Sequence, residues 1–318
     1  MDVLSDAVAA MRLGRPHSSI QDKYGAWGHR FGAHGGAGFH VLLRGSARLL
    51  PGGDGGAEPI ALAPGDIVFL AHGCGHALAA EPGAPLEPLE PFELNPDGSW
   101  PEAPPRVPRP ESGPAPSAVI LCGAYQLDRA RAHPLLSELP GVVHLPARVG
   151  AHRSLRTAVE LLGAELEDPQ PGSDTIVSAL LDTMLLYLLR AWWLGERHGT
   201  EQPTGWAAAL ADPGVAAALR AMHADPARAW TVEELGALAG LSRAAFARRF
   251  AGSVGVPPLA YPTWWRMTVA GRALRAGDAP LRVVAHQAGY TSEFAFAKAF
   301  KREFGVAPGR YRRLGATE

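Results

Sequence analysis

The stretch LGALAGLSRAAFARRFAGSVGVPPLAY, residues 235–261, returns as VAHQAGYTSEFAFAKAFKREFGVAPGRY, residues 284–311. Gly240, Ser242, Ala245, Phe246, Ala247, Phe250, Gly255, Val256, Pro258 and Tyr261 are matched by Gly289, Ser292, Ala295, Phe296, Ala297, Phe300, Gly305, Val306, Pro308 and Tyr311. The register is constant apart from one extra residue at Thr291. Matches at glycines, caps and aromatics, rather than at random positions, mark a duplicated supersecondary unit.

Local chemistry says what the unit is. Thr231 followed by Glu234 is a capping box, in which each side chain satisfies a backbone N–H at the helix start. Leu235, Leu238 and Ala239 then give one apolar face, and Gly240 is suited to end the helix in the left-handed conformation. Ser242 caps a second helix, on which Phe246 and Phe250, four residues apart, form a single buried stripe. Val284, Ala285, Ala288, Gly289, Ser292, Phe296 and Phe300 repeat the pattern. Two short helices around a glycine-containing turn make a helix-turn-helix.

Charge separates this unit from an ordinary helical bundle. From Pro213 onward the chain carries 15 basic and 7 acidic residues; ahead of it stand 15 basic and 24 acidic ones. A net charge of −1 therefore hides a basic module joined to an acidic one, the footprint of phosphate binding.

With Phe246 and Phe250 turned inward, the outer face of the first reading helix carries Arg243, Ala244, Ala247 and Arg248. Glu293, Phe294, Ala297 and Lys298 take the equivalent places on the second. Arg248 and Lys298 suit guanine acceptors, Ala244 and Ala247 a thymine methyl, and Glu293 a cytosine amine. Arg249, Lys301, Arg302, Arg312 and Arg313 suit phosphates, which position without specifying.

The duplicated unit resembles the DNA-binding domain of the AraC/XylS transcriptional regulators. The carrying residues include Trp264, Trp265, Arg266 and Met267, Ala270 to Leu274 in the helix between copies, and the closing run Phe304 to Arg312. The resemblance implies two helix-turn-helix motifs on a shared central helix, presenting their second helices to two adjacent major-groove turns of double-stranded DNA. An activator that meets RNA polymerase and a repressor both fit this reading, and the residues do not choose between them. Pro262 departs from the pattern, at a position in the first helical turn where proline is tolerated.

Ahead of this module, short apolar runs punctuated by Gly and Pro predict strands: Phe39 to Leu43, Ala47 to Leu50, Ile60 to Leu62, Ile67 to Leu70, His76 to Leu78 and Val119 to Tyr125. With Gly45, the turn Pro64, Gly65, Asp66 and then His76 ten residues on, this region resembles the cupin-like barrel found fused to such DNA-binding domains. The proline-punctuated span from Glu81 to Ser117 reads as an extended loop. Helical periodicity follows in Leu155 to Leu166 and Asp174 to Trp193, a pair with apolar surface enough to bury against a second copy, and so a homodimer is expected. The expected division is a cupin-like sensor barrel over 1–145, a helical dimerisation segment over 146–195, a linker over 196–212 and the DNA-binding domain over 213–318. The fold class is thus α+β and multidomain, with a cupin-like barrel and helical pair before an all-α domain.

His29, His34, His40, His72 and His76 gather in the barrel, with Cys74 between the last two. Imidazole and thiolate donors of this kind suit a transition metal, for which His40 and His76 are the candidates. Metal-binding cupins usually bring a His-x-His pair and a glutamate on the first motif strand; here His40 is followed by Val41, Leu42, Leu43 and Arg44. Cys74, flanked by imidazoles, is the candidate redox thiol. Cys122, in an apolar run, reads as a buried small hydrophobe. The alternative reading is a metal-dependent cupin enzyme with an accessory helical domain, and a third is a structural DNA-binding protein without a sensor.

Met1 to Met11 is a short amphipathic run without a basic flank, unlike a signal peptide. Leu180 to Leu194 contains Asp182 and Arg190 and falls short of a bilayer span. Two cysteines make no disulfide framework, so a reducing cytoplasm is expected, with no membrane partner. The expected activity is regulatory rather than enzymatic: a small-molecule, metal or oxidant effector sensed by the barrel biases the domain arrangement that holds DNA.

Overall fold

The computed structural model describes residues 2–52, 58–89, 114–127, 133–148, 150–195 and 205–315. The middle of the proline-punctuated loop and residues 196–204 of the expected linker lie outside them.

Helix α1 (Val3–Met11) leads into β1 (Arg12–Lys23), β2 (Gly28–Phe31), β3 (Gly36–Gly45), β4 (Ala47–Pro51), β5 (Ile60–Leu62), β6 (Ile67–Leu70), β7 (His76–Ala79), β8 (Glu87–Leu89) and β9 (Ala118–Leu127). A single turn, α2 (Pro134–Ser137), precedes β10 (Val143–Leu145), and the pair α3 (Arg153–Glu167) and α4 (Ser173–Gly195) completes the first part. Two five-stranded sheets result, ordered β1-β9-β3-β6-β10 and β5-β4-β7-β2-β8. Every strand expected from sequence is present. The sequence reading missed β1, β2, β8 and β10, which are polar or very short and lack the apolar run that reveals a strand.

The first sheet is covered on both faces, and its middle strands show it. Seven consecutive residues of β3, Gly36 to Leu42, are buried. Phe39 and Val41 belong to the core shared with the helices, whereas Leu42 packs with Leu49, Leu62, Val68, Leu78 and Ile120 between the sheets. Burial on both faces removes the alternation that marks a half-exposed strand. Gly45, at φ 83°, closes β3 where a Cβ would sit 1.9 Å from the Ser117 carbonyl oxygen. The Asp66 carboxylate locks the following turn, accepting from the backbone N–H groups of Ala63 (3.1 Å) and Ala147 (2.7 Å) and lying 3.0 Å from His144 Nε2.

Helices α3 and α4 pack against each other and against β1. Tyr125 donates to the Leu181 carbonyl at 2.8 Å, tying β9 to α4, and Arg12 pairs with Asp182. Ser173–Trp193 is long and apolar enough to cross a membrane by length and composition, which corrects the shorter span read from sequence. The difference is one of length: the helix begins seven residues ahead of Leu180. Leu181, Met184, Leu185, Leu188 and Leu189 are buried in the core.

The C-terminal part is helical throughout: α5 (Gly205–Ala211), α6 (Pro213–Ala224), α7 (Val232–Leu238), α8 (Arg243–Val254), α9 (Ala260–Ala276), α10 (Leu281–Gln287), α11 (Glu293–Phe304) and α12 (Pro308–Gly315). Helix α5 falls where a linker was expected. Its Trp206 and Ala209 are buried and it packs on α6 and α8, so it belongs to the helical domain.

The cores do not divide where the sequence suggested. Leu235, Phe246, Phe250, Tyr261 and Trp265 of the first helix-turn-helix are continuous with the core of α1, α4 and the barrel. The second unit has its own cluster, built from Met267, Leu274, Val284, Phe296 and Phe300. Helix α9 contributes to both, its first half to one and its second half to the other.

Candidate nucleic-acid interface and the barrel cluster

The two reading units match in geometry as well as in sequence. Phe246 and Phe250 place their ring centroids 5.4 Å apart at 46°; Phe296 and Phe300 place theirs 5.5 Å apart at 50°. Ser242 Oγ accepts from Ala245 N–H at 3.4 Å, and Ser292 Oγ accepts from Ala295 N–H at 3.4 Å. In the turn, Gly289 stands at φ 77° and a Cβ there would lie 2.4 Å from the Ala227 carbonyl oxygen. Only glycine fits.

The capping box expected at Thr231 is complete. Glu234 N–H donates to Thr231 Oγ1 at 3.2 Å and Thr231 N–H donates to Glu234 Oε2 at 2.8 Å. Arg228 donates to the same carboxylate at 2.8 Å, and with Thr231 it holds Glu234 down to about 2. The second unit has no such box: Pro280 stands at the N-cap of α10 and makes no side-chain cap bond.

On α8 the side chains of Arg243, Ala244, Arg248 and Arg249 are exposed and Ala247 is half-buried. On α11, Glu293, Phe294, Lys298, Lys301 and Arg302 are exposed and Ala297 is half-buried. The opposite stripes are the buried phenylalanines. Arg243 pairs with Glu233 at 3.0 Å, Arg249 with Asp212 at 3.3 Å and Arg302 with Glu303 at 3.4 Å. The Arg243–Glu233 pair, exposed on both sides, is worth about 0–1 kcal/mol, little resistance to exchanging a carboxylate for a phosphate. Phe294 is 81% exposed, an aromatic ring held in water on an otherwise polar face. Arg312 does not join the surface read from sequence. Its guanidinium donates to the Ala279 carbonyl at 2.5 Å and its Nε is buried, so it ties α12 to the end of α9.

Inside the barrel, two of the expected histidines meet. His40 Nε2 lies 2.7 Å from His76 Nε2 and His40 Nδ1 lies 3.0 Å from Cys122 Sγ. His76 Nδ1 faces the Cys74 carbonyl at 3.0 Å. A carbonyl only accepts, so His76 carries its proton on Nδ1 and its Nε2 accepts from His40 Nε2–H. His40 Nδ1 is then bare and takes the Cys122 S–H. One backbone carbonyl thereby fixes every proton in the chain. Phe31 stacks on His76 at 4.7 Å and 4°. Burial pushes His40 well below the usual imidazole range, His76 down to about 4 and the Cys122 thiol up to about 12. The cluster is neutral at neutral pH.

This arrangement changes the reading of Cys74 and bears on the expected metal site. The imidazole bonded to a thiol serves Cys122 rather than Cys74, because β3 and β9 pair His40 directly with Cys122. His72 donates to the Leu139 carbonyl at 2.9 Å and His76 holds the carbonyl of Cys74, not its sulfur. His40 and His76 hold each other too closely for a shared ion, since two metal–nitrogen bonds of about 2.0–2.1 Å usually separate the nitrogens by more than 3 Å. Among the described residues, no group of three or more His, Cys, Asp or Glu side chains could hold a metal ion. The residues as arranged do not fit a cupin metal centre.

A third cluster escaped the sequence reading altogether. Asp6 of α1, His133 ahead of α2, His223 of α6 and Tyr261 of α9 join in one buried hydrogen-bonded chain, with Trp206 and Trp265 against it.

Comparison with known proteins agrees with both halves of the chain. Residues 2–193 match a family model described as a cupin, and residues 235–314 match one described as a helix-turn-helix domain. A putative AraC-like transcription regulator of Streptomyces lividans is 35% identical over 98% of each chain. Its namesake in Streptomyces antibioticus is 34% identical over 98% of this chain and 99% of that one. The RCS-specific HTH-type transcriptional activator RclR of Escherichia coli strain K12 is 30% identical over 98% of this chain and 97% of its own. The relatives are named as transcriptional regulators along their whole length, and the helical module with its two matching reading faces is what such a regulator requires. This chain belongs to the AraC family of DNA-binding transcriptional regulators, with a cupin-like domain ahead of its paired helix-turn-helix units.

Proposed function

We propose that α8 and α11 read base sequence together, entering successive turns of the major groove about 34 Å apart along the duplex. The observation that carries this is the equivalent presentation of the two helices: same serine cap, same buried phenylalanine pair, and outward side chains at the same positions. Arg243, Ala244, Ala247 and Arg248 on one helix and Glu293, Phe294, Ala297 and Lys298 on the other face the bases. Arg249, Lys301 and Arg302 hold phosphates.

The barrel senses a small molecule or an oxidant, and the chain acts by binding rather than by catalysis. Leu161 on α3 is 54% exposed and Ile176 on α4 is 45% exposed, apolar side chains suited to a second copy of the same helix pair in a homodimer. The working compartment is the cytoplasm, where the operator is, and contact with RNA polymerase would convert binding into activation.

Selection of bound fragments from genomic DNA, followed by footprinting, tests the reading. It predicts two protected half-elements one helical turn apart in every recovered site. Recovery of fragments without a shared element, or a single protected element, overturns it.

A further inference from the structure

The buried chain between the two domains has only one consistent proton arrangement. Leu135 N–H donates to His133 Nδ1 at 3.2 Å, so that nitrogen is bare and the His133 proton sits on Nε2, 3.0 Å from Tyr261 Oη. At the other end, His223 Nδ1 lies 3.2 Å from Asp6 Oδ2. A carboxylate accepts, so Nδ1 carries the His223 proton and Nε2 accepts from the Tyr261 hydroxyl at 2.7 Å. Donation therefore runs one way, from His133 to Tyr261 to His223 to Asp6.

The path crosses the molecule twice. His133 and Asp6 belong to the sensor part, Tyr261 and His223 to the helical domain. The shared core of the first reading unit surrounds it, with Trp265 stacked on His223 at 3.9 Å and 8° and the ring of Trp206 against His133 at 4.6 Å. The Glu138 carboxylate, five residues after His133 at the other end of α2, accepts from the Trp206 N–H at 2.9 and 3.0 Å across the same junction. The duplication supplies a comparison. Tyr311, the counterpart of Tyr261, packs on Phe300 and Phe304 in the core of its own unit. Among the described residues, Tyr261 of the first copy bonds to the other domain through His133.

We propose that the Tyr261-centred chain is a latch coupling the sensor domain to the helix that carries both DNA readers, and that protonation of His223 or His133 releases it. A protonated His223 presents N–H from both nitrogens, leaving the Tyr261 hydroxyl proton with no acceptor. A protonated His133 sets a second N–H against Leu135 N–H. The titratable groups that face the chain are Asp6 from α1, His133 from the entry to α2, His223 from α6 and Tyr261 from α9; Trp206, Trp264 and Trp265 form the rest of its wall. Burial holds His133 well below the imidazole range and His223 down to about 4, so the latched form resists protonation that an opened form would accept near 6.5. The opened form thus binds more protons, and latching is complete above pH 6.5 and is lost as pH falls from there toward 4. Each histidine shifts the open-to-latched ratio by about tenfold per pH unit in that window.

Hydrogen exchange of the full chain, read by mass spectrometry and corrected for intrinsic rates, tests the latch. Lowering the pH from 7.5 to 5 is expected to raise exchange together in residues 3–11, 133–139, 216–224 and 260–265, while 281–311 keep their protection. Tyr261→Phe, which keeps the ring, should give the same pattern already at pH 7.5. Asp6→Ala, at the far end of the chain in α1, should do so more weakly and covers the case in which Tyr261→Phe fails to fold. A rise confined to 216–224 and 260–265 in the variants, or a wild-type pattern that does not respond to pH, overturns the proposal. The readout uses no DNA, so its failure leaves the reading of α8 and α11 standing, and failure of DNA binding leaves the latch standing.

Discussion

His40 and His76 share one proton between their Nε2 atoms, 2.7 Å apart, and the same chain ends on the Cys122 thiol. Bonded to His40 and kept protonated, with its thiol pushed up to about 12 by its desolvated surroundings, Cys122 is a poor nucleophile at neutral pH. Cys74 is half-buried like Cys122 but faces no imidazole nitrogen of the His40–His76 chain with its sulfur. In the native chain at pH 7.5, iodoacetamide is expected to modify Cys74 and spare Cys122, as read by peptide mass spectrometry. Modification of Cys122 first would show that the chain is not assembled as described.

Because the two imidazoles are bonded to each other, a first-row ion would have to separate them. Purified protein is expected to hold well under one equivalent of zinc, iron or nickel by elemental analysis. A stoichiometric ion retained after dialysis, and lost in His40→Ala, would restore the metal-centre reading.

Arg248 and Arg302 occupy different places relative to a duplex and should fail differently. Arg248→Ala is expected to cost about 1–3 kcal/mol on the preferred site and to relax the preference at one base position. Arg302→Ala should weaken matched and scrambled sites alike and lower the slope of log K against log salt by about one. Gel shifts across salt separate the two, and identical behaviour of the variants contradicts the assignment.

Phe294 contributes nothing to the core that its 81% exposure would allow. Phe294→Ala should leave the thermal midpoint unchanged within error while weakening binding to the preferred site more than to scrambled DNA. A drop in midpoint of several degrees would mean that the ring is packed in solution.

Phe250 and Phe300 occupy equivalent buried places in different cores. Each replacement by Ala should cost about 3–5 kcal/mol, the usual figure for a deleted core aromatic. The range of the damage should differ: Phe250→Ala loosens the junction with the sensor domain, and Phe300→Ala loosens only the second reader. Domain-resolved proteolysis distinguishes them, and equal cleavage patterns would argue against the shared core.

The repeated unit was legible because its determinants are local. A cap bonds a residue three positions on, a phenylalanine pair is four apart, and a turn glycine stands alone, so Thr231, Ser242, Phe246 and Gly240 reveal their roles from spacing. The strands of the barrel were legible where an apolar run is bracketed by Gly or Pro, as at Ile67 to Leu70. They were not where the strand is polar, as in β1, whose pairing with β9 depends on a partner about a hundred residues away.

Helix class, duplication, charge division and the outward stripe of each reader were thus settled by the order of residues alone, since each follows from contacts within one or two helical turns. Which histidine meets which group was settled only by the assembled fold. His40 reaches Cys122 across 82 residues and His223 reaches Asp6 across 217, and no periodicity along the chain encodes a contact made by docking one finished element on another. The short N-terminal run read as merely amphipathic became, for that reason, the piece against which α6 and α9 close.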